Sequence, residues 1–290
     1  MNQSRIIPLL FLGLLSISAS PIVAKSLSSS GTIVAFWRML LASFFLWCYS
    51  VIYYKNMKSL SSSNKIKTSI AGVLLGIHFI LFFEAVKITT IANATFLGTL
   101  APFFTLMIEF LIFKRRYKKM VYLGMIISLV GIFIVLINGF DLSSKFTLGN
   151  IYAIFCSLAI GLAFLISEKV RDTEGTIEYT RMLYGIAALT IFIIGSFYTK
   201  SFIVTQNTEI LGFVFLALIP TILGHNIFYY CVKFTTPTII STIPLGEPII
   251  ASFIAFFLFN EFISFNTAIG GALCIYGIFI ILKNRSVINR

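Results

Sequence analysis

The stretch Val86–Thr90 reads VKITT, and 146 residues later Val232–Thr236 reads VKFTT. The same ungapped offset aligns Phe82–Asn138 with Phe228–Asn284, and 16 of the 57 aligned positions are identical. Apolar bias alone would produce apolar matches, but Lys, Thr-Thr, Pro and Gly also keep this register. We therefore infer an internal repeat, whose two copies share one architecture.

The composition of the chain excludes a soluble domain. Of its 290 residues, 58% are hydrophobic and 11% are charged, against roughly 45–50% and about 25% in soluble domains. Ten apolar runs occupy most of the length, each close to the roughly 20 residues that a membrane-spanning helix needs. We place these spans near residues 6–24, 32–54, 69–86, 90–113, 120–138, 148–167, 177–198, 210–231, 236–259 and 265–282.

Lys and Arg residues collect on one side of this ten-span arrangement. The chain ends and the loops after even-numbered spans hold 17 of the 22, the opposite loops hold four, and Arg38 lies inside span 2. The positive-inside rule then puts both termini in the cytoplasm. This asymmetry accounts for the net charge of +12, so we expect the lipid bilayer as a partner and no nucleic acid.

The first apolar run has a second interpretation, because Arg5 precedes it as a base precedes a signal peptide. Cleavage would leave nine spans and reverse the parity of every later loop relative to its charge. The charge distribution therefore favours a retained first span.

Each copy of the repeat contains five spans, so the second copy enters the membrane upside down. We place the copies at residues 1–140 and 146–290. The charges agree, since Lys114–Lys119 contains five bases and its aligned segment Asn260–Phe265 contains none. The predicted fold is an all-α polytopic membrane protein with ten transmembrane helices in two inverted five-helix repeats. Secondary transporters commonly use this plan, with the substrate site between the repeats.

The chain resembles the EamA family of the drug/metabolite transporter superfamily. The resemblance rests on the 5+5 layout, on Arg38-Met39-Leu40 at the start of span 2, and on the segment Pro244–Pro248 (PLGEP), which is followed by Phe256–Glu261 (FFLFNE). It implies a metabolite exporter or exchanger in the cytoplasmic (inner) membrane, with a central cavity lined by both halves and with spans 5 and 10 peripheral. Ala101-Pro102 stands where the second copy has Glu247-Pro248, which excludes a paired-glutamate mechanism.

Spans 4 and 9 carry hydroxyl groups and prolines at helical spacing, and we take them as the substrate pathway. Hydroxyls on one face can line a water-filled cavity, whereas the alternative is that they bond their own backbone or bridge neighbouring helices. Glu247 could couple protons or hold a cation, although an ideal helix turns it away from the stripe. Either the nearby prolines re-aim it, or it is a structural acceptor. The pathway candidates are Thr95, Thr99, Pro102, Thr238, Ser241, Thr242, Glu247 and Pro248.

Six further ionisable residues within spans are charge or coupling candidates. A base in a span either snorkels to the interface or clamps a carboxylate or phosphate, and an acid near a span end can simply reach interfacial water. A histidine in a span is either a hydrogen-bonded packing residue or a proton relay. The six are Arg38, Glu84, Glu109, Arg181, His78 and His225.

The sequence contains none of the usual motifs of hydrolytic enzymes or of ATP-driven pumps. HExxH, Gly-x-Ser-x-Gly and a phosphate-binding P-loop are absent, and the four cysteines show no metal-ligand spacing. We expect no catalytic residues, no metal and no cofactor. Small-xxx-small pairs at Gly72/Gly76 and Gly124/Ser128 allow close helix packing and are compatible with a homodimer.

The sequence thus predicts a secondary transporter that moves a small metabolite, amino-acid-like or otherwise polar or amphipathic, by alternating access. A membrane-embedded enzyme acting on lipids is one alternative, and it would need a clustered His/Asp/Ser/Arg site. A passive channel or a lipid translocator is the other.

Overall fold

The computed structural model of the chain describes residues 6–53, 59–89, 91–137, 146–250, 254, 265–284 and 287–289. These residues are almost entirely helical. The α-helices are α1 (Ile6–Ser18), α2 (Ser20–Ser26), α3 (Gly31–Tyr53), α4 (Ser62–Ile88), α5 (Ile91–Gly98), α6 (Ala101–Leu111), α7 (Lys119–Leu136), α8 (Thr147–Arg171), α9 (Thr176–Gly195), α10 (Asn207–Leu216), α11 (Asn226–Cys231), α12 (Pro237–Thr242) and α13 (Phe265–Lys283).

Four further segments of regular structure lie between or after these helices. A π-helical segment, Ala217–His225, joins α10 to α11, and a 3₁₀ turn, Ile243–Gly246, follows α12. The strands β1 (Arg116–Tyr117) and β2 (Val287–Asn289) pair antiparallel, so the segment after α13 lies beside the loop between α6 and α7.

The chain is an all-α polytopic membrane protein. Within the described residues, seven helical stretches are long and apolar enough to cross a membrane, and α7 and α13 supply two shorter apolar helices. Large apolar side chains such as Phe44, Phe155 and Phe192 are about half exposed, as expected for surfaces that face lipid. The predicted ninth span is described up to Ile250 and at 254, and its other residues lie outside the described part of the chain.

Two predicted boundaries are wrong because polar first and last turns escape a search for apolar runs. Span 3 was placed from residue 69, but α4 begins at Ser62, where Ser61 caps the helix by accepting a hydrogen bond from the Asn64 amide. Span 6 was placed up to residue 167, but α8 continues to Arg171.

The helices pack in pairs drawn from the two halves of the sequence. Helix α4 packs against α8 and α9, α3 against α9, and α6 against α12, while α1 packs against the π-helical segment. Helix α7 packs along α13.

The contact between α7 and α13 depends on small residues on both helices. A Cβ atom on Gly124 would lie 2.7 Å from the carbonyl oxygen of Gly277, and one on Gly131 would lie 2.5 Å from that of Gly270. Between them, the Ser128 hydroxyl donates to the Cys274 carbonyl at 3.2 Å. The two backbones can approach this closely because the glycines at the contact have no side chains to separate the helices.

The other small-residue pair is also used inside the chain. Gly72 and Gly76 face α9, where added Cβ atoms would lie 2.7 Å from Ile186 and 2.9 Å from the Ala187 carbonyl oxygen. Both small-xxx-small pairs therefore pack within one chain. The homodimer stays a prediction to which these pairs lend no support.

We expect Gly131→Ala to destabilise the protein by about 1–3 kcal/mol, the usual cost of overpacking a close contact. The added methyl would lie 2.5 Å from the backbone of α13, so the two helices would have to separate. Thermal unfolding of the purified protein in detergent measures the effect.

Gly271→Ala is the matched control, since its Cβ would meet only the Ile249 side chain, at 3.3 Å. Equal unfolding temperatures for Gly131→Ala and Gly271→Ala would contradict backbone contact between α7 and α13.

Candidate functional site

A small cavity of about 60 Å³ lies between helices from both halves of the sequence. None of the described residues of α7 or α13 lines it. The ligand sites of proteins typically enclose roughly 300–1,000 Å³, so in this conformation the cavity is nearly closed. Its walls are formed by Ile17, Ser20, Arg38, His78, Phe79, Phe82, Gly98, Thr99, Ala101, Ile160, Phe164, His225, Phe228, Ser241, Pro244 and Glu247.

Four prolines interrupt the helices that surround this cavity. Pro21 starts α2 after the break at Ala19, and Pro102 starts α6 after the break at Leu100. Pro220 lies inside the π-helical segment, and Pro244 lies in the 3₁₀ turn. Proline lacks an N–H and clashes with the preceding turn. In lipid the freed carbonyls would be unsatisfied, so such breaks are tolerated where they line a cavity or pack in protein.

Arg38 is the central charged group of the site. Its Nε donates to the Thr221 hydroxyl at 2.6 Å and its Nη1 donates to the Ser20 hydroxyl at 2.8 Å. The guanidinium lies over the Phe79 ring, 4.4 Å from the centroid. The residue is 1% exposed, so the interpretation of a snorkelling base is wrong. Its buried Nη2 has no hydrogen-bond partner in the described part of the chain.

Glu247 reaches the same cavity because the helix before it tightens. From Ser241 to Glu247, six steps of an ideal α-helix would rotate the side chain by about 240°. Four of those residues are in the 3₁₀ turn, whose roughly 120° per residue brings the two side chains within about 40° of each other. Glu247 therefore lies at the cavity wall, as expected if the proline-rich turn re-aims it.

Arg38 and Glu247 attract each other without touching. Both line the cavity, and each lies within the other's Coulombic reach. Among the described residues, ion pairs within 4.0 Å are formed only by Arg115. The cavity thus holds a guanidinium and a carboxylate that are not paired with one another.

The rings of both histidines contact the edge or face of Phe79, and both residues line the cavity. Nδ1 of His78 donates to the Cys156 carbonyl at 2.9 Å, and its ring stacks on Phe82. Nδ1 of His225 is buried and has no partner among the described residues. His78 is therefore held by packing and a hydrogen bond, while His225 keeps a free nitrogen.

The predicted stripe on spans 4 and 9 divides into three groups. Thr99 and Ser241 line the cavity. Thr105 and Thr238 bridge helices instead, since the Thr105 hydroxyl lies 3.1 Å from those of both Ser241 and Thr238. The others are buried away from the cavity wall, and Thr242 donates to its own helix at Ile239. These others are Thr95, Pro102, Thr242 and Pro248.

Glu109 belongs to a buried polar cluster at the end of α6, which we call the inner cluster. Arg115 donates to Glu109 at 2.6 Å and to Glu168 at 2.8 Å. The Tyr117 hydroxyl and the Thr238 hydroxyl also donate to Glu109. Glu109 is 0% exposed, so the interpretation that it reaches interfacial water is wrong. The cluster comprises Glu109, Arg115, Tyr117, Glu168, Thr236 and Thr238.

Glu84 and Arg181 lie away from the cavity. Glu84 accepts from both the amide and the hydroxyl of Thr32 at 2.7 Å, and so caps the start of α3. Arg181 is buried, with its guanidinium 4.4 Å from the ring centroid of Trp47. Of the six charge candidates, the structure gathers Arg38, His78 and His225 at the cavity with Glu247.

The family assignment follows from comparison with known proteins. The model of the EamA-like transporter family matches residues 4–137 and again residues 147–283. The chain belongs to the EamA-like transporter family.

The similar proteins are transporters by name. One uncharacterized transporter of Archaeoglobus fulgidus is 25% identical over 257 residues, covering 85% of this chain and 86% of its own. An uncharacterized transporter of Bacillus subtilis is 25% identical over 218 residues, covering 73% and 71%. The S-adenosylmethionine uptake transporter of Rickettsia conorii is 22% identical over 291 residues, covering 96% and 93%.

A solved crystal structure shares the fold of this EamA-family chain. It superposes with a TM-score of 0.81 over 98% of this chain and 99% of its own, at 16% identity. Likeness at that identity concerns the fold alone.

Sequence reasoning missed several parts of this EamA-family site. Ser20 and Thr221 hold Arg38, and the only local signals were the neighbouring prolines Pro21 and Pro220. Glu168 and Tyr117 complete the inner cluster, but long-range pairing leaves no trace in the spacing of residues. The aromatic walls could be foreseen only as a general excess of Phe.

Ser20→Ala removes an acceptor from a buried guanidinium, so we expect it to destabilise the protein by about 1.5–3 kcal/mol. Ser18→Ala is the matched control, because the Ser18 hydroxyl is equally buried but bonds its own helix at Leu14. Thermal unfolding in detergent compares the two, and a Ser18→Ala loss as large as that of Ser20→Ala would contradict the role of Ser20.

Proposed function

We propose that the chain is a secondary transporter that carries a small zwitterionic metabolite across the cytoplasmic membrane by alternating access, as an exporter or exchanger. The observation that carries this proposal is the cavity in which Arg38 and Glu247 face a common space without pairing. Ionisable groups inside a membrane protein are costly and usually mark a substrate or ion pathway.

The chemistry of the walls indicates the class of substrate. A guanidinium with a free donor binds a carboxylate well, and Nη2 of Arg38 is such a donor. The Glu247 carboxylate can hold an ammonium group. Phe82, Phe164 and Phe228 form apolar walls beside these charges. An amino-acid-like molecule with an apolar side chain satisfies all three features.

The size of the cavity supports a mechanism with more than one conformation. A volume of about 60 Å³ holds a few water molecules and no amino acid. The helices must therefore move apart before a substrate enters, and interruptions at Pro102, Pro220 and Pro244 supply places where they can bend. Alternating access is a conformational change of this kind.

The contact between α7 and α13 supports the inverted repeat. The offset of 146 makes Gly124 equivalent to Gly270 and Gly131 equivalent to Gly277. Gly124 touches Gly277 and Gly131 touches Gly270, while Ser128 bonds its own equivalent, Cys274. Such exchanged contacts are those that a two-fold axis generates. The two ranges that match the family model also fall within the proposed halves, 1–140 and 146–290.

The pairing of β1 with β2 supports the ten-span topology. Residues 117 and 287 are strand partners, so they lie on the same side of the membrane. The proposed topology puts six spans between them, an even number, as a shared side requires. The bases of Lys114–Lys119 identify that side as the cytoplasm.

The name of one relative bears on the class of substrate. The Rickettsia conorii protein is named for uptake of S-adenosylmethionine, a compound with an amino-acid ammonium and carboxylate. That charge pair matches Arg38 and Glu247, which supports a zwitterion. An exchanger takes up one molecule and exports another through the same site. A relative named for uptake is therefore compatible with the proposal that this chain is an exporter or exchanger.

We expect Glu247→Gln to reduce transport of the cognate zwitterion at least about tenfold, since a buried hydrogen-bonded charge pair is worth more than 1.4 kcal/mol. Substrates come from a thermal-shift screen of amino acids and related metabolites on purified protein, followed by uptake into proteoliposomes. Glu178→Gln is the control, because Glu178 lies outside the cavity.

Unchanged uptake by Glu247→Gln would contradict the role of Glu247 in binding. Transport that persists without saturation after Arg38, His78, His225 and Glu247 are all neutralised would favour a passive channel. Turnover of lipid by the pure protein would favour an enzyme.

We expect a single cysteine at Lys118 to react with a membrane-impermeant thiol reagent only from the cytoplasm, and one at Tyr198 only from outside. The parent is a variant in which Cys48, Cys156, Cys231 and Cys274 are replaced by Ala. Labelling of both positions from the same side would contradict the ten-span topology.

A further inference from the structure

We propose that the inner cluster is a latch that closes the cytoplasmic end of the cavity, and that Arg115 must leave Glu168 before the cavity opens inward. This inference rests on the proposed transport function and on the orientation of the loop at Lys114–Lys119. It adds a gate to that function and assigns the gate to named residues.

The inner cluster joins four separate parts of the chain. Glu109 belongs to α6, Glu168 to α8 and Thr238 to α12, while Arg115 and Tyr117 belong to the loop after α6. Arg115 bridges the two carboxylates, and Tyr117 bonds both Glu109 and Thr236. Helices α6, α8 and α12 each carry residues that line the cavity. These three helices cannot separate at the cluster's end while its hydrogen bonds and ion pairs persist.

The latch is held together by buried ion pairs. Glu109, Glu168 and Arg115 are 0%, 5% and 9% exposed. One guanidinium serves two carboxylates, and hydroxyls supply the remaining donors to Glu109. Burial holds the pKa of Tyr117 far above its usual range, so its phenol stays a donor. Breaking the contact between Arg115 and Glu168 would take from the buried Glu168 carboxylate the one hydrogen bond that it has among the described residues, so this contact resists opening.

The loop that carries Arg115 is shaped for this contact. Lys114 has a left-handed backbone, with φ of 54°, which is uncommon for a residue with a side chain. This turn lets the Arg115 amide donate to the Glu109 carbonyl at 2.9 Å. The same turn returns the Arg115 guanidinium to the carboxylate of Glu109.

The latch is connected to the cavity wall by hydroxyl groups. Thr238 donates to Glu109 and lies 3.1 Å from the Thr105 hydroxyl, which lies 3.1 Å from Ser241. Ser241 lines the cavity. A substrate that bonds the Ser241 hydroxyl therefore competes with Thr105 for it, and so perturbs the chain of hydrogen bonds that ends at the latch.

The other end of the bundle has a different kind of contact. Lys25 donates to the carbonyls of Val86 and Thr89, and Lys87 donates to that of Leu27. The sequence has Ala255 and Glu261 at the repeat equivalents of Glu109 and Arg115, so the second copy does not repeat the latch. A change in the latch should therefore shift the balance toward inward opening alone.

Glu168→Gln tests the latch through a reporter cysteine at Ile160, a cavity residue on α8, in the variant without the four native cysteines. We expect a membrane-impermeant thiol reagent applied from the cytoplasm to label Ile160→Cys about tenfold faster or more in Glu168→Gln, the factor expected when a charged hydrogen bond is lost. Labelling from outside should slow.

Glu174→Gln is the matched control. Glu174 lies at the same end of α8, and hydrogen bonds from Asn64 and Ser61 lower its pKa, so it is also a charged acceptor. It contacts no residue of the inner cluster among the described residues. We expect this variant to label at the parental rate.

Thr238→Val provides a second test if Glu168→Gln fails to elute as a monodisperse peak in gel filtration. It removes one hydroxyl donor to Glu109 and leaves every charge in place, so we expect faster cytoplasmic labelling by a smaller factor. Parental rates in both variants, or an equal rise in Glu174→Gln, would overturn the latch and leave the proposed transport intact. No labelling from either side in any variant would overturn the transport pathway itself.

Discussion

The main constraint on this chain is that a backbone in lipid must satisfy its own hydrogen bonds. Continuous helices meet it, and a proline inside a span violates it. The breaks at Pro21, Pro102, Pro220 and Pro244 can therefore exist only where other protein groups or water replace the lost bonds. All four lie around one cavity, where the interrupted backbone places Ser20 and Thr221 against Arg38 and turns Glu247 toward the interior.

Burying two opposite charges without pairing them has a physical cost that a purely structural site would avoid. Replacing such groups with apolar residues is often neutral or stabilising. Here Ser20 and Thr221 hold two nitrogens of Arg38, and Phe79 lies against its face, while the third nitrogen has no partner among the described residues. The inner cluster shows the contrasting case, since Nη1 of Arg115 contacts the carboxylates of both Glu109 and Glu168. The first arrangement is suited to receiving a ligand, and the second is suited to holding helices together.

Much of the fold was predictable because lipid simplifies it. Apolar runs, the Lys and Arg asymmetry and the 146-residue repeat are local or additive signals, and they located the described helices to within a few residues at most ends. The candidate site was harder to predict from the sequence. Glu247 was misplaced by an ideal-helix wheel because a 3₁₀ turn intervenes, and Arg38 appeared interfacial because its partners lie on α2 and the π-helical segment. Glu109 appeared exposed because Glu168 is 59 residues away in sequence.

A symmetric scaffold with unsymmetric ends explains how one site could serve both faces of a membrane. If the two halves are inverted copies, exchanging their conformations turns an inward-open state into an outward-open one of similar packing energy. The balance between the states then depends on whatever breaks the symmetry. In this chain that difference is chemical, with lysines on main-chain carbonyls at one end and a guanidinium between two carboxylates at the other. In the proposed mechanism, the repeat would therefore account for two states, and the residues outside its matched positions would set their populations.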